Sequence, residues 1–97
     1  MTLNKKQIKH LKAMSHKLKP VVIVGNAGIT EAVLNEIDSS IEHHELIKVR
    51  LNAADRQQRQ TMMDTISKTI HATLINQIGH IAVFYRPAAK PLIELPN

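Results

Sequence analysis

A Gly-x-x-Gly turn, Gly25-Asn26-Ala27-Gly28, follows the β-branched run Val21-Val22-Ile23-Val24 and runs through Ile29 to a helix start at Thr30. Strand, turn and helix in immediate succession suit the binding of a phosphate. Glycine at 25 and 28 permits positive φ and lets a ligand approach without a β-carbon in the way, while the unpaired amides of a following helix start point outward. The competing explanation is that both glycines only make a tight turn. A mononucleotide or dinucleotide enzyme is disfavoured, because the loop has neither a Gly-x-Gly-x-x-Gly pattern nor a Gly-Lys-Ser/Thr ending. The nearer physical analogy is the Gly-x-x-Gly loop that clamps nucleotide backbone in KH domains, where helices flank the loop on both sides.

Other residue types with chemical potential are present without the spacing that chemistry requires. His44-Glu45 begins like a zinc-protease motif, but the fourth residue after His44 is Lys48 instead of histidine. His43 and His44 are adjacent, so on a helix their side chains diverge by about 100° and do not share a metal. His43 is expected to pack or cap. Ser15, Ser39, Ser40 and Ser67 lack a nucleophile-elbow context. Cysteine is absent, which removes disulfides, thiolate metal sites and a cysteine nucleophile. No catalytic residue, metal site or cofactor is expected.

Charge gives the positive case. The formal net charge is +5, and residues 1–20 carry six lysines and no acid, leaving seven bases against eight acids in the remainder. A positive field confined to one end of the chain suggests a polyanionic partner, with a solvated helix face as the bland alternative. Lys5, Lys9 and Lys12 recur with His16 as a stripe on the first helix, and Lys19 precedes the first strand. Lys48 and Arg50 alternate with apolar residues on the second strand, and Arg86 ends the fourth. These seven are the candidate basic contacts around the loop. For Lys48 and Arg50 the alternative is an ordinary solvent-facing sheet side, and for Arg86 a strand-end charge. Arg56 and Arg59 read as solvated first-turn residues. Phe84 and Tyr85 are the only aromatics, and only Tyr85 is a candidate for stacking. Structured RNA recognised by shape and backbone is therefore the favoured partner over single strands. No helix-turn-helix, zinc-finger or basic-zipper pattern points to duplex DNA.

The elements that must hold these residues follow from periodicity. Asn4 to Leu18 reads as an amphipathic helix with Ile8, Leu11 and Leu18 on one side and Met14 near it, stopped by Pro20. Thr30 caps a second helix with Val33, Leu34, Ile37 and Ile41 inward. Leu46 to Leu51 alternates as a half-buried strand with Ile47, Val49 and Leu51 on one side. Asp55 and Gln58 form a capping box opening a helix to about His71, with Met62, Met63, Ile66 and Ile70 inward. Leu74–Ile78 and Ile81–Arg86, joined by Gly79-His80, predict a hairpin with a type II′ turn. Pro87 and Pro91 leave 87–97 as an extended or loosely ordered tail.

The fold class is α/β: a single compact domain over 1–97, in α-β-α-β-α-β-β order, with a four-stranded mixed sheet. Helices two and three are expected to share one sheet face; the first helix can cover part of the other, a docking that the sequence leaves open. No run reaches the roughly 20 apolar residues of a membrane span, and no secretory signal is evident. A cytoplasmic monomer that does not bind membrane is expected.

The segments Leu18-Lys19-Pro20, Val24-Gly25-Asn26-Ala27-Gly28-Ile29-Thr30, His43-His44-Glu45-Leu46-Ile47-Lys48-Val49-Arg50 and Ile78-Gly79-His80 leading to Phe84-Tyr85-Arg86-Pro87 together resemble the CRM domain, in its stand-alone bacterial YhbY-type form, over roughly residues 3–87. The resemblance implies a fold similar to the C-terminal domain of translation initiation factor three. It also implies RNA binding linked to large ribosomal subunit precursors in bacteria and to intron splicing in plant organelles. RNA contact through Gly25, Asn26, Ala27 and Gly28 is implied, supported by adjoining basic residues. The second loop position, often basic in relatives, is Asn26 here, which shifts weight to amides and to the first helix. Enzyme and ribosomal protein-adaptor readings are the rivals. The adaptor requires a sheet face more apolar than Lys48 and Arg50 suggest.

Overall fold

The computed structural model describes residues 2–97. Its elements are α1 (Lys5–Ser15), β1 (Pro20–Val24), α2 (Glu31–His44), β2 (Leu46–Leu51), α3 (Arg56–Ile70), β3 (Thr73–Ile78) and β4 (Ile81–Tyr85). The sheet order is β1-β2-β4-β3. β1 pairs parallel with β2, and β4 lies antiparallel to both β2 and β3. This is the expected single α/β domain with a mixed four-stranded sheet.

Alternation along the strands divides the interior in two. Val22, Val24, Ile47, Val49, Leu51, Ala82 and Phe84 point to one face, where Ile37 and Ile41 of α2 and Met62, Met63, Ile66 and Ile70 of α3 pack on them. Leu46, Ile75, Val83 and Tyr85 point to the other face and are covered by Leu11 of α1, with Ile8, Ile93 and Leu95 around them. The sheet is therefore the middle of three layers, and α1 is docked on the side that the sequence left open.

The helix starts follow their caps. Asn4 and Gln7 form a reciprocal capping box, and the Thr30 hydroxyl accepts from the Val33 amide. Asp55 accepts from the Gln58 amide, while the Gln58 side chain accepts from Ala54, one residue before the cap. α1 ends at Ser15, three residues before Leu18: the Ser15 hydroxyl donates to the Lys12 carbonyl, and the Leu18 amide turns back to Ser15. Leu18 and Met14 consequently stay partly exposed. At the hairpin, Gly79 has φ 57° and His80 is outside the positive-φ region, as a type II′ turn requires.

The tail is not loosely ordered. Glu45, fully buried, accepts from the amides of Ala88 (2.6 Å), Leu92 (2.8 Å) and Ile93 (2.7 Å). Pro96 accepts from the Gln7 side chain. Prolines 87 and 91 remove the tail from the sheet, as expected, but a buried carboxylate supplies the acceptors that a neighbouring strand would have supplied. Burial alone would raise the Glu45 pKa, and the amides of Ala88, Ile93 and Leu92 together outweigh it and hold the carboxyl below its ordinary value. Glu45 also ends α2 with φ 64°, a strained conformation for a side chain with a β-carbon.

Candidate functional site

Because β1 and β2 are parallel, their C-terminal ends lie together, and so do the starts of the helices that follow them. The Gly25–Gly28 turn thus shares one end of the sheet with the starts of α2 and α3. The Asn52 amide donates to the Val24 carbonyl at 3.0 Å, and the Leu51 amide donates to the His80 carbonyl at 2.7 Å, which draws the β2–α3 connection and the hairpin turn into the same end. The His80 ring closes the tie, its Nδ1 donating to the Leu51 carbonyl at 3.1 Å.

The turn is closed by the Gly28 amide donating to the Gly25 carbonyl at 3.0 Å. Gly28 has φ 79°, where side chains are disfavoured. Gly25 differs from the sequence-based expectation: its φ is not positive, and a β-carbon built there meets nothing within 4 Å. The backbone does not require glycine at 25, so its bare surface matters only to something arriving from outside. Asn26 and Ala27 are exposed, and among the described residues their amides donate to no protein acceptor. Glu31 in the first turn of α2 places one carboxylate nearby, which opposes an anion at the helix end and leaves the turn amides as the better donors.

The predicted cations fall into separate groups. Arg50 is the register partner of Ile23, two residues before Gly25, and its Nε donates to Asn52 at 3.1 Å, so it stands at the loop end. Lys48 lies mid-sheet on the α1 face, half-buried. Lys19 precedes β1 and is therefore at the far end of that strand from the turn. Lys5, Lys9 and Lys12 are exposed on α1. The expectation that Arg86 adds charge around the loop is corrected by its position and partners. Tyr85 pairs with Leu46, which puts Arg86 at the opposite end of the sheet, where its guanidinium binds Asp38 (2.7 Å), Glu42 (2.9 Å) and the Ile70 carbonyl (2.7 Å). Tyr85, the candidate stacking ring, is buried at 2% exposure; burial and the neighbouring Glu45 charge push its pKa up.

Arg56 and Arg59, set aside from sequence, stand in the first turn of α3 at the loop end and line a hollow beside Gly79. The signal was in the element order, since parallel β1 and β2 bring both helix starts to one end. Among the described residues, Arg86 is the only basic residue in a salt bridge, no group of three metal-ligating side chains exists, and no helix is long and apolar enough to cross a membrane.

The family model for the CRS1/YhbY (CRM) domain matches residues 3–86 of this chain. The chain belongs to the CRS1/YhbY (CRM) domain family. A Haemophilus influenzae relative named RNA-binding protein is 45% identical over 96 residues, covering 99% of this chain and 97% of its own. A Pseudomonas aeruginosa relative is 40% identical over 97 residues, covering all of this chain and 93% of its own. A Staphylococcus aureus chain solved in solution is 31% identical, with a TM-score of 0.83, and the match covers 98% of this chain and 100% of that one. The structural match extends beyond the residues of the family model and takes in the tail as well as the sheet.

Proposed function

We propose that this CRM domain is an RNA-binding protein that engages ribosomal RNA in precursors of the large ribosomal subunit and assists their assembly, acting as a cytoplasmic monomer without catalysis. The observation that carries the RNA contact is the exposed Gly25–Gly28 turn, whose Asn26 and Ala27 amides have no acceptor among the described residues. A phosphodiester oxygen would complete them, with Arg50 and, from the α3 start, Arg56 and Arg59 neutralising the backbone charge. Lys5, Lys9, Lys12, Lys19 and Lys48 extend the contact over the α1 face. The name of the Haemophilus relative supports the RNA reading, and the family resemblance supports the ribosomal target.

The test uses Gly25→Asp. The space around Gly25 is open and its φ is ordinary, so the variant is expected to stay folded while placing a carboxylate where phosphate would sit. Crosslinking in cells, followed by sequencing of the RNA recovered, is expected to enrich large-subunit precursor RNA with the wild type and to lose that enrichment with the variant. Equal recovery by both proteins would remove the loop from the contact. Recovery of no RNA by the wild type would favour the protein-adaptor reading, which gains support from Val21, Ile23 and Ile78, exposed by 45%, 61% and 69% on the α1 side of the sheet.

A further inference from the structure

α1 covers only part of its sheet face, and beside its C-terminal end lies a hollow of about 430 Å³. Its floor is apolar, formed by Met14, Leu18, Val21 and Leu46, and Ile93 of the pinned tail closes one side. Lys17, Lys19 and Lys48 stand around it with His44, the last residue of α2, and no carboxylate is among the lining residues. None of the three lysines has a salt-bridge partner among the described residues. The volume falls in the range of small-ligand sites, roughly 300–1,000 Å³. An occupant that fits this wall must combine a flat or apolar body with negative charge at its edge.

We propose that the hollow receives a single unstacked nucleotide of the bound RNA, its base on the aliphatic floor against the His44 ring and its phosphate among Lys17, Lys19 and Lys48. This rests on the RNA-binding reading above and adds a second contact to it. The charge pattern selects the ligand. A neutral apolar peptide leaves three lysines unanswered, whereas a base with its own phosphate meets both halves of the wall. Val21 in the hollow and Gly25 at the turn are four residues apart on one extended strand, roughly 13 Å at about 3.3 Å per residue. One RNA can reach both. The phosphate-binding turn then supplies affinity without reading sequence or structure, and the hollow favours RNA that offers an unpaired base.

The experiment compares two hairpin RNAs, fully paired and identical but for one bulged purine, by fluorescence anisotropy against wild type, Gly25→Asp and Met14→Glu. Met14 is 38% exposed, so the carboxylate enters the hollow without burial in the core. Met14→Leu keeps the volume and serves as the control for substitution itself, and circular dichroism confirms that each variant is folded. The wild type is expected to bind the bulged hairpin about tenfold more tightly, within the range of a single stacked base. Met14→Glu is expected to cut that preference to about twofold or less, its carboxylate beside Lys48 weakening the bulged hairpin more than the paired one, Met14→Leu to keep the preference, and Gly25→Asp to weaken both RNAs while preserving the ratio. Equal wild-type affinity for the two hairpins, or a preference that survives Met14→Glu, overturns the nucleotide site alone. Failure of the wild type to bind either hairpin overturns the RNA reading on which the site rests. Displacement of the bulged hairpin from the wild type by an acidic amphipathic peptide, with Met14→Glu blocking the peptide but not the RNA, assigns the hollow to a protein partner and overturns the proposal.

Discussion

Two charges at the Leu46 end of the sheet are answered inside the protein: Glu45 accepts from three tail amides, and Arg86 is held by Asp38, Glu42 and the Ile70 carbonyl. At the Leu51 end, Arg50, Arg56 and Arg59 have no salt-bridge partner among the described residues, and the amides of Asn26 and Ala27 have no acceptor there. These two sets of groups stand at opposite ends of the same strands and differ in whether they are satisfied inside the protein. Desolvated charge must be paired, because a buried ion without partners costs several kcal/mol, so Glu45 and Arg86 serve the fold. Exposed charge costs little when unpaired, and the open end is thereby left available to a ligand. Counting cations along the sequence does not separate these classes; their partners do.

The largest effect expected from this contrast is at Glu45. Glu45→Gln keeps the shape but replaces one acceptor oxygen with an NH₂ group facing backbone donors, and it removes the charge that strengthens all three bonds. Loss of about 2–4 kcal/mol is expected in chemical denaturation, together with faster hydrogen exchange at Ala88, Leu92 and Ile93. Because Ile93 also lines the hollow beside α1, release of the tail is expected to open that wall. A stability loss below about 0.5 kcal/mol would mean that the tail is held by its apolar side chains and that the carboxylate is incidental.

A paired substitution breaks or sharpens the comparison directly. Arg86→Met is expected to cost about 1–2 kcal/mol, since it leaves the Ile70 carbonyl short of a donor and the half-exposed Asp38 and Glu42 without their partner. RNA affinity is expected to stay within about twofold. Arg50→Ala is expected to do the reverse, with an unchanged denaturation midpoint, RNA affinity down about three- to tenfold, and a log-log salt slope shallower by about 0.7–0.9. Anisotropy titrations across a salt series, run beside denaturation curves, read both quantities. If folded Arg86→Met loses RNA while Arg50→Ala does not, the functional end has been assigned to the wrong side of the sheet.

Periodicity and punctuation made most of the fold legible. The alternation of Ile47, Val49 and Leu51 against Lys48 and Arg50 assigned both faces of β2, and Thr30, Asp55 and Gly79 marked starts and turns through local chemistry that needs no tertiary context. What escaped was set by pairings distant in sequence. The two prolines after β4 say that the tail cannot join the sheet, but nothing local says that Glu45, over forty residues earlier, will gather its amides. Arg86 looked like Arg50 for the same reason, since Asp38 and Glu42 become its neighbours only after α2 has packed beside the end of β4. The glycines of the turn divide likewise: Gly28 is required by its φ and Gly25 is not, a distinction that the Gly-x-x-Gly pattern does not contain.

The smallest expected effect is the pH dependence of the paired end. The folded-state pKa of Glu45 lies below its ordinary value of 4.5, so the unfolded chain takes up this proton first as pH falls. Its contribution to stability is full above about 4.5 and declines as pH drops through the folded-state value. Tyr85 acts at the other limb: its pKa is raised from 10.0 by burial and then by the Glu45 charge, so the unfolded chain loses the phenolic proton first, and stability declines as pH rises above about 10. Denaturation midpoints measured across both limbs for the wild type and Glu45→Gln separate the two. The variant is expected to show a flatter acid limb, because the group that titrates there is gone. Its alkaline decline is expected to be weaker but still present, because burial, the larger cause of the Tyr85 shift, remains. Parallel curves for the two proteins below pH 4.5 would mean that other carboxylates carry the acid sensitivity, and the tail clamp would then lose its place as the charged anchor of that end.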